Sequence, residues 1–132
     1  MNVKLLRKIQ EHILAEPRRF RMSGYSFVSA PGTIVGPSEY CGDIRQVVPE
    51  CGTMACIAGW ATGLDGGDIA NAGADTGAQH LQLPELVADR LFFMSQWPEK
   101  FSEAYRSATT VAAKAQIAAE RIDHFIATEG AE

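Results

Sequence analysis

The sequence predicts a mainly α fold. About five helices pack around a central buried helix over residues 53–64, with room for one small β-hairpin in residues 26–48. Three observations lead there. The run at 51–64, CGTMACIAGWATGL, carries no charge and leaves no polar face, and a helix apolar all round has to be enclosed on all sides. Both ends of the chain show apolar residues at helical spacing. Between them, residues 17–50 have no helical period and contain the turn pairs Pro31-Gly32 and Gly36-Pro37.

Taken in order, Asn2 suits an N-cap, and Val3, Leu6, Ile9 and Ile13 form the buried stripe of a first helix. Pro17 ends it by disfavouring α geometry at Glu16. Segments 26–30 and 33–35 read as short strands about the Pro31-Gly32 turn. Thr53 suits the cap of the central helix, and Gly63, Gly66 and Gly67 supply its stop. Ala55, Gly59 and Gly63 fall four apart, a stripe that lets another backbone come close. Glycine inside a helix costs about 1 kcal/mol against alanine, so Gly59 calls for a packing or ligand reason.

Residues 65–78 read as a solvated connection. Asp65, Asp68 and Asp75 lack the calcium-loop spacing. Pro84 suits a first helical turn, and Leu83, Val87, Leu91 and Met94 share a face. Trp97-Pro98 marks a corner into a short helix bearing Phe101 and Tyr105. The last helix, capped by Thr109 or Thr110, buries Val111, Ala115, Ala118, Ile122, Phe125 and Ile126.

At 132 residues the chain suits a single domain, 1–132, able to bury a core without metals or disulfides. The net charge of −4 is uneven. Residues 1–50 hold 7 Lys/Arg against 5 Asp/Glu, giving +2; residues 51–132 hold 5 against 11, giving −6. The basic end favours an anionic partner, and the acidic remainder argues against nucleic acid. Three cysteines, Cys41, Cys51 and Cys56, with no signal-like or membrane-length segment, suggest free thiols and a cytoplasmic setting.

Four constellations carry chemistry. A helix start at 51–53 would offer Cys51, Gly52 and Thr53 to an anion, with Arg18, Arg19 and Arg21, or Arg45, adding charge. A thiol at that start would also be activated, making Cys51 a candidate nucleophile, with Gln46 as oxyanion donor. A zinc site from the three cysteines and a histidine lacks paired close ligands, so no metal or other cofactor is expected. Trp60 or Trp97 could instead anchor a protein partner.

CGTMAC, with Gln46 upstream, resembles the nucleophile helix of papain-like and C39-type cysteine peptidases. That resemblance implies Cys51 as nucleophile and His124, or His80, as base, although His124 continues a helical pattern where those families use a sheet. The set EPRRFRM, CGTMACIAGWA, HLQLPELVADRLFF with Gln96-Trp97-Pro98, and RIDHFIATEGAE resembles a family of short bacterial and phage proteins of uncharacterised activity. It implies a shared fold and a cytosolic, phage-linked setting, and no catalytic residues. The expectation is a non-enzymatic binding protein for an anionic, nucleotide-like ligand or a protein partner, acting in phage counter-defence. A cysteine hydrolase and a structural interaction protein are the alternatives, and homo-oligomerisation stays open.

Overall fold

Helix α1, Val3–Ala15, begins where the Asn2 side chain accepts the Leu5 N–H at 3.1 Å. The computed structural model describes all 132 residues. A 3₁₀ turn at Pro17–Arg19 follows α1, then strands β1 (Phe27–Val28), β2 (Ile34–Val35), β3 (Gln46–Val47) and β4 (Thr53–Met54). Five more helices complete the chain: α2 (Ile57–Leu64), α3 (Ala74–Leu81), α4 (Glu85–Phe92), α5 (Glu99–Ser107) and α6 (Val111–Ala127). The mainly α expectation therefore stands, with six helices. None is long and apolar enough to cross a membrane.

The core follows the periodicity in most positions, although Val3 is 41% exposed and Val111 and Ile126 are only half-buried. Leu6, Ile9 and Ile13 of α1 and Ala118, Ile122 and Phe125 of α6 are inaccessible to solvent, as are Ile57, Ala58 and Ala61 of α2. α2 is walled by α1, α3 and α4. Its closest neighbour is α3. A Cβ at Gly77 would lie 3.1 Å from the Ala58 backbone, tighter than ordinary packing, so glycine there eases the close approach.

The central helix is shorter than its apolar run. It starts at Ile57, and Thr53 lies in a strand instead of capping it. Long-range pairing decides this. Thr53 and Met54 pair with Val28 and Phe27, while Ala55 exchanges backbone hydrogen bonds with Arg19 and Arg21 (3.0 and 3.1 Å). Residues 53–55 are thus held extended by partners some thirty positions away, which no local apolar count reveals.

The strands also pair differently from the expected hairpin. Pro31-Gly32 does turn, with Thr33 N–H on the Ala30 carbonyl and Gly32 at φ +87°. Yet β1 pairs with β4, and β2 pairs with β3. Both ladders and the Ser38–Asp43 bridge share one antiparallel register. The result is a single arm from 27 to 54 that reverses at 39–42, where Gly42 takes φ +68°.

The tip of this arm is fastened by buried polar groups. Asp43 accepts from the Tyr105 hydroxyl (2.6 Å) and the Ser23 N–H (2.7 Å). Lys114 of α6 donates to the Gly42 and Tyr105 carbonyls, both at 2.6 Å. Arg21 donates to the carbonyls of Gly36 and Ile44, to the Gln46 side chain and to the Ser23 hydroxyl.

On the other side, His12 of α1 lies edge-on to Trp60, ring centroids 4.2 Å apart, and Arg19 covers Trp60 at 4.8 Å. Burial first, then the charge of Arg19, pushes the His12 imidazole below its ordinary value, with Glu16 opposing. The folded state therefore resists protonation that the unfolded chain accepts at about pH 6.5. Stability should be full above that value and decline as pH falls through the window below it. Urea midpoints taken between pH 7.5 and 5.5 should show the decline, and His12→Phe should flatten it in that range. An equally steep decline in the variant would assign it elsewhere.

Candidate functional site

Two adjoining clefts meet at Arg18. Pro17 fixes the first φ of the 3₁₀ turn, and Phe20 N–H closes it on the Pro17 carbonyl at 3.1 Å. Phe20 and the Arg21 backbone are pinned beneath, so Arg18 stands exposed on a rigid corner. The larger cleft, about 450 Å³, is lined by Arg18, the arm residues 45–50, Pro31, Gly32 and Val111. The smaller, about 380 Å³, is lined by Arg18, Arg19, Glu16, Glu50, Cys51 and nearby backbone.

Charge separates the two. Arg18 and Arg45 make no ion pair and no side-chain hydrogen bond; the ion pairs of the chain lie elsewhere. The larger cleft therefore holds two free guanidinium groups against one carboxylate, Glu50. In the smaller cleft Arg19 is bound to Glu16 at 2.7 Å, leaving Arg18 facing Glu50. The larger cleft is the electropositive one.

The helix start expected at residues 51–53 is not there. Cys51 is an exposed turn residue whose thiol donates to the Thr53 carbonyl at 3.6 Å. Gly52, at φ +75°, gives its N–H to Pro49 and its carbonyl to Ser29. Thr53 is committed to β4. The N-cap of α2 is Cys56, which is buried and whose N–H is taken by the Gly24 carbonyl. Burial pushes the Cys56 thiol up to about 11, and the nearby amides of Gly59 and Ala58 oppose this only partly. The chain itself seals this helix end.

Of the six residues expected to hold a ligand, the clefts collect Arg18, Arg19 and Cys51. Arg21 is 1% exposed and fully occupied in the arm network, so its role is structural. Arg45, expected as an alternative source of charge, lines the larger cleft, and Glu50 and Val111 join it. Nothing in the sequence singled out Glu50 or Val111 for this site.

No hydrogen bond joins Cys51, Gln46, His80 and His124 to one another. The Gln46 side-chain amide donates to the Phe20 carbonyl at 3.2 Å and its oxygen accepts from Arg21, so the side chain is held within the arm network. His124 lies beside Glu132 (3.4 Å) and Phe101, and His80 beside Asp65 (2.8 Å). The only hydrogen bond of the Cys51 thiol goes to its own turn.

No protein-family profile matches the chain, no curated protein resembles it significantly, and no solved structure matches it. The functional reading therefore rests on these side chains.

Proposed function

We propose that the chain is a cytoplasmic binding protein, without catalysis of its own, whose ligand brings negative charge to the cleft between Arg18 and Arg45. One observation carries this: two guanidinium groups line one concave site, and neither has a carboxylate partner. Arginine presents a rigid fork of donors suited to carboxylate and phosphate, and here those donors are unused within the chain. Pro31, Pro49, Val47 and Val111 supply the apolar wall that such sites combine with a few polar groups. A phage counter-defence role, in which the protein sequesters an anionic signal, is the biological setting this form suits.

The test is thermal. Any ligand that binds only the folded state raises its melting temperature. A panel of inorganic phosphate, nucleotides and dicarboxylates should contain at least one compound that raises it, and Arg18→Ala with Arg45→Ala should abolish the rise without lowering the unliganded melting temperature. Anion-induced stabilisation that survives the double substitution would remove the cleft as its cause. The cysteine hydrolase keeps only an exposed thiol.

A further inference from the structure

The arm leaves a strand edge unused. β2 and β3 form a two-stranded ladder, with no third strand beside either. Within it, Val48 N–H donates to the Thr33 carbonyl (2.8 Å), and the Val48 carbonyl accepts from Gly32 (2.9 Å). Direction alternates along a strand, so Gln46 also faces its partner, while the peptide groups of Arg45 and Val47 face away. The Arg45 N–H and carbonyl make no hydrogen bond within the chain.

The same two residues shape the cleft. Arg45 carries one of the free guanidinium groups, and Val47 is 54% exposed. Pro49, which has no N–H, blunts the edge beyond them and keeps the open run short. The cleft lining contains no aromatic ring, so a nucleobase would find no platform to stack on. It does hold unpaired strand backbone, an apolar β-branched side chain and two cations.

We propose that the anionic ligand is an extended acidic segment of a partner protein, which adds to the outer edge of β3 as a short third strand and sets its carboxylates against Arg18 and Arg45. This rests on the anion-binding reading above and narrows it to a peptide. Backbone pairing supplies the affinity, and the side chains that alternate across the edge supply the selection. Glu50 on the same wall disfavours an unbroken acidic run. A segment mixing acidic with β-branched residues therefore fits better than polyglutamate.

The test uses the full chain and a short, end-blocked peptide of alternating Glu and Val, titrated by calorimetry and followed by amide hydrogen exchange. The peptide should bind and slow exchange at Arg45 and Val47. Val47→Pro deletes an outward N–H that the β2–β3 ladder does not use, so it should keep the fold and abolish peptide binding. Arg18→Ala and Arg45→Ala should each weaken the peptide about tenfold. Peptide binding unaffected by Val47→Pro, or without protection of Arg45 and Val47, overturns strand addition and leaves the anion cleft standing. A Lys–Val peptide that binds as tightly overturns the charge selection. If neither peptide nor small anions respond to the arginine substitutions, both readings fall. Should Val47→Pro unfold the chain, the exchange pattern of the unsubstituted protein decides.

Discussion

Asp43→Ala should cost about 2–4 kcal/mol, because two buried donors lose their acceptor. Asp43 is 3% exposed and is the only carboxylate in the network that holds the arm tip. Two buried cations, Arg21 at 1% and Lys114 at 2% exposure, belong to the same network without forming an ion pair with Asp43. Burial pushes the Lys114 ammonium down, and the Asp43 charge holds it up. Burial, with Asp43 second, raises the Tyr105 hydroxyl well above the ordinary phenol range, so it stays a donor. Without the carboxylate, the Tyr105 hydroxyl and Ser23 N–H lose their acceptor and Lys114 loses a favourable charge. Whole small domains are stable by only about 5–15 kcal/mol, so urea denaturation should register a large fraction of the total. Asp43→Asn should fall between, because it keeps one acceptor oxygen but turns an N–H donor toward another donor. Amide exchange in residues 27–54 should quicken in both variants. A loss below about 1 kcal/mol for Asp43→Ala would mean that something other than this cluster fastens the arm.

Helices α1 and α6 were legible because their apolar stripes repeat every three or four residues over 13 and 17 positions. The arm was not. Its strands are two residues long, and what fixes them is pairing across the whole 27–54 span, which local turn signals do not report. Pro31-Gly32 looked like the hairpin turn because it is a turn, yet the reversal falls at 39–42, set by Gly42 against the Arg106 backbone and by the buried network at Asp43. The same blindness moved the start of α2. Met54 and Ala55 are as apolar as the helix beyond them, so only the partners Phe27 and Arg19 show where strand ends.

The candidate site was half legible for a related reason. Arg18, Arg19 and Arg21 are chemically equivalent in sequence, but they alternate around a 3₁₀ turn and a β-bridge. Arg18 reaches solvent, Arg19 lies over Trp60, and Arg21 points into the molecule. Composition can place a basic cluster and cannot say which member remains free. Arg45 lines the same cleft as Arg18 only because the arm folds back, across 27 positions of chain.

Gly59→Ala separates the two forces that act on the central helix. Intrinsic propensity favours alanine by about 1 kcal/mol. Packing opposes it, because an added Cβ would lie 1.8 Å from the Tyr25 carbonyl oxygen and 2.7 Å from the Ala55 side chain. The first obstacle is backbone, anchored next door by the Cys56 N–H on the Gly24 carbonyl at 3.2 Å. Neither it nor the helix can yield without breaking that bond. Overpacking costs typically about 1–3 kcal/mol, and contact with fixed backbone belongs at the top of that range. The net expectation is a loss of about 2–3 kcal/mol, the opposite sign to propensity. Gly63→Ala is the control. Its added Cβ would meet Ile69 Cδ1 at 2.9 Å, an end that can rotate aside, and Ile69 Cβ at 3.2 Å, which needs to give by only a few tenths of an ångström, so this variant should stay within about 1 kcal/mol of the parent. Denaturation of the pair side by side reads the difference directly. If Gly59→Ala proves as stable as Gly63→Ala, then the 22–25 loop yields to the helix, and the small residue at 59 owes its place to something other than the close passage of Tyr25.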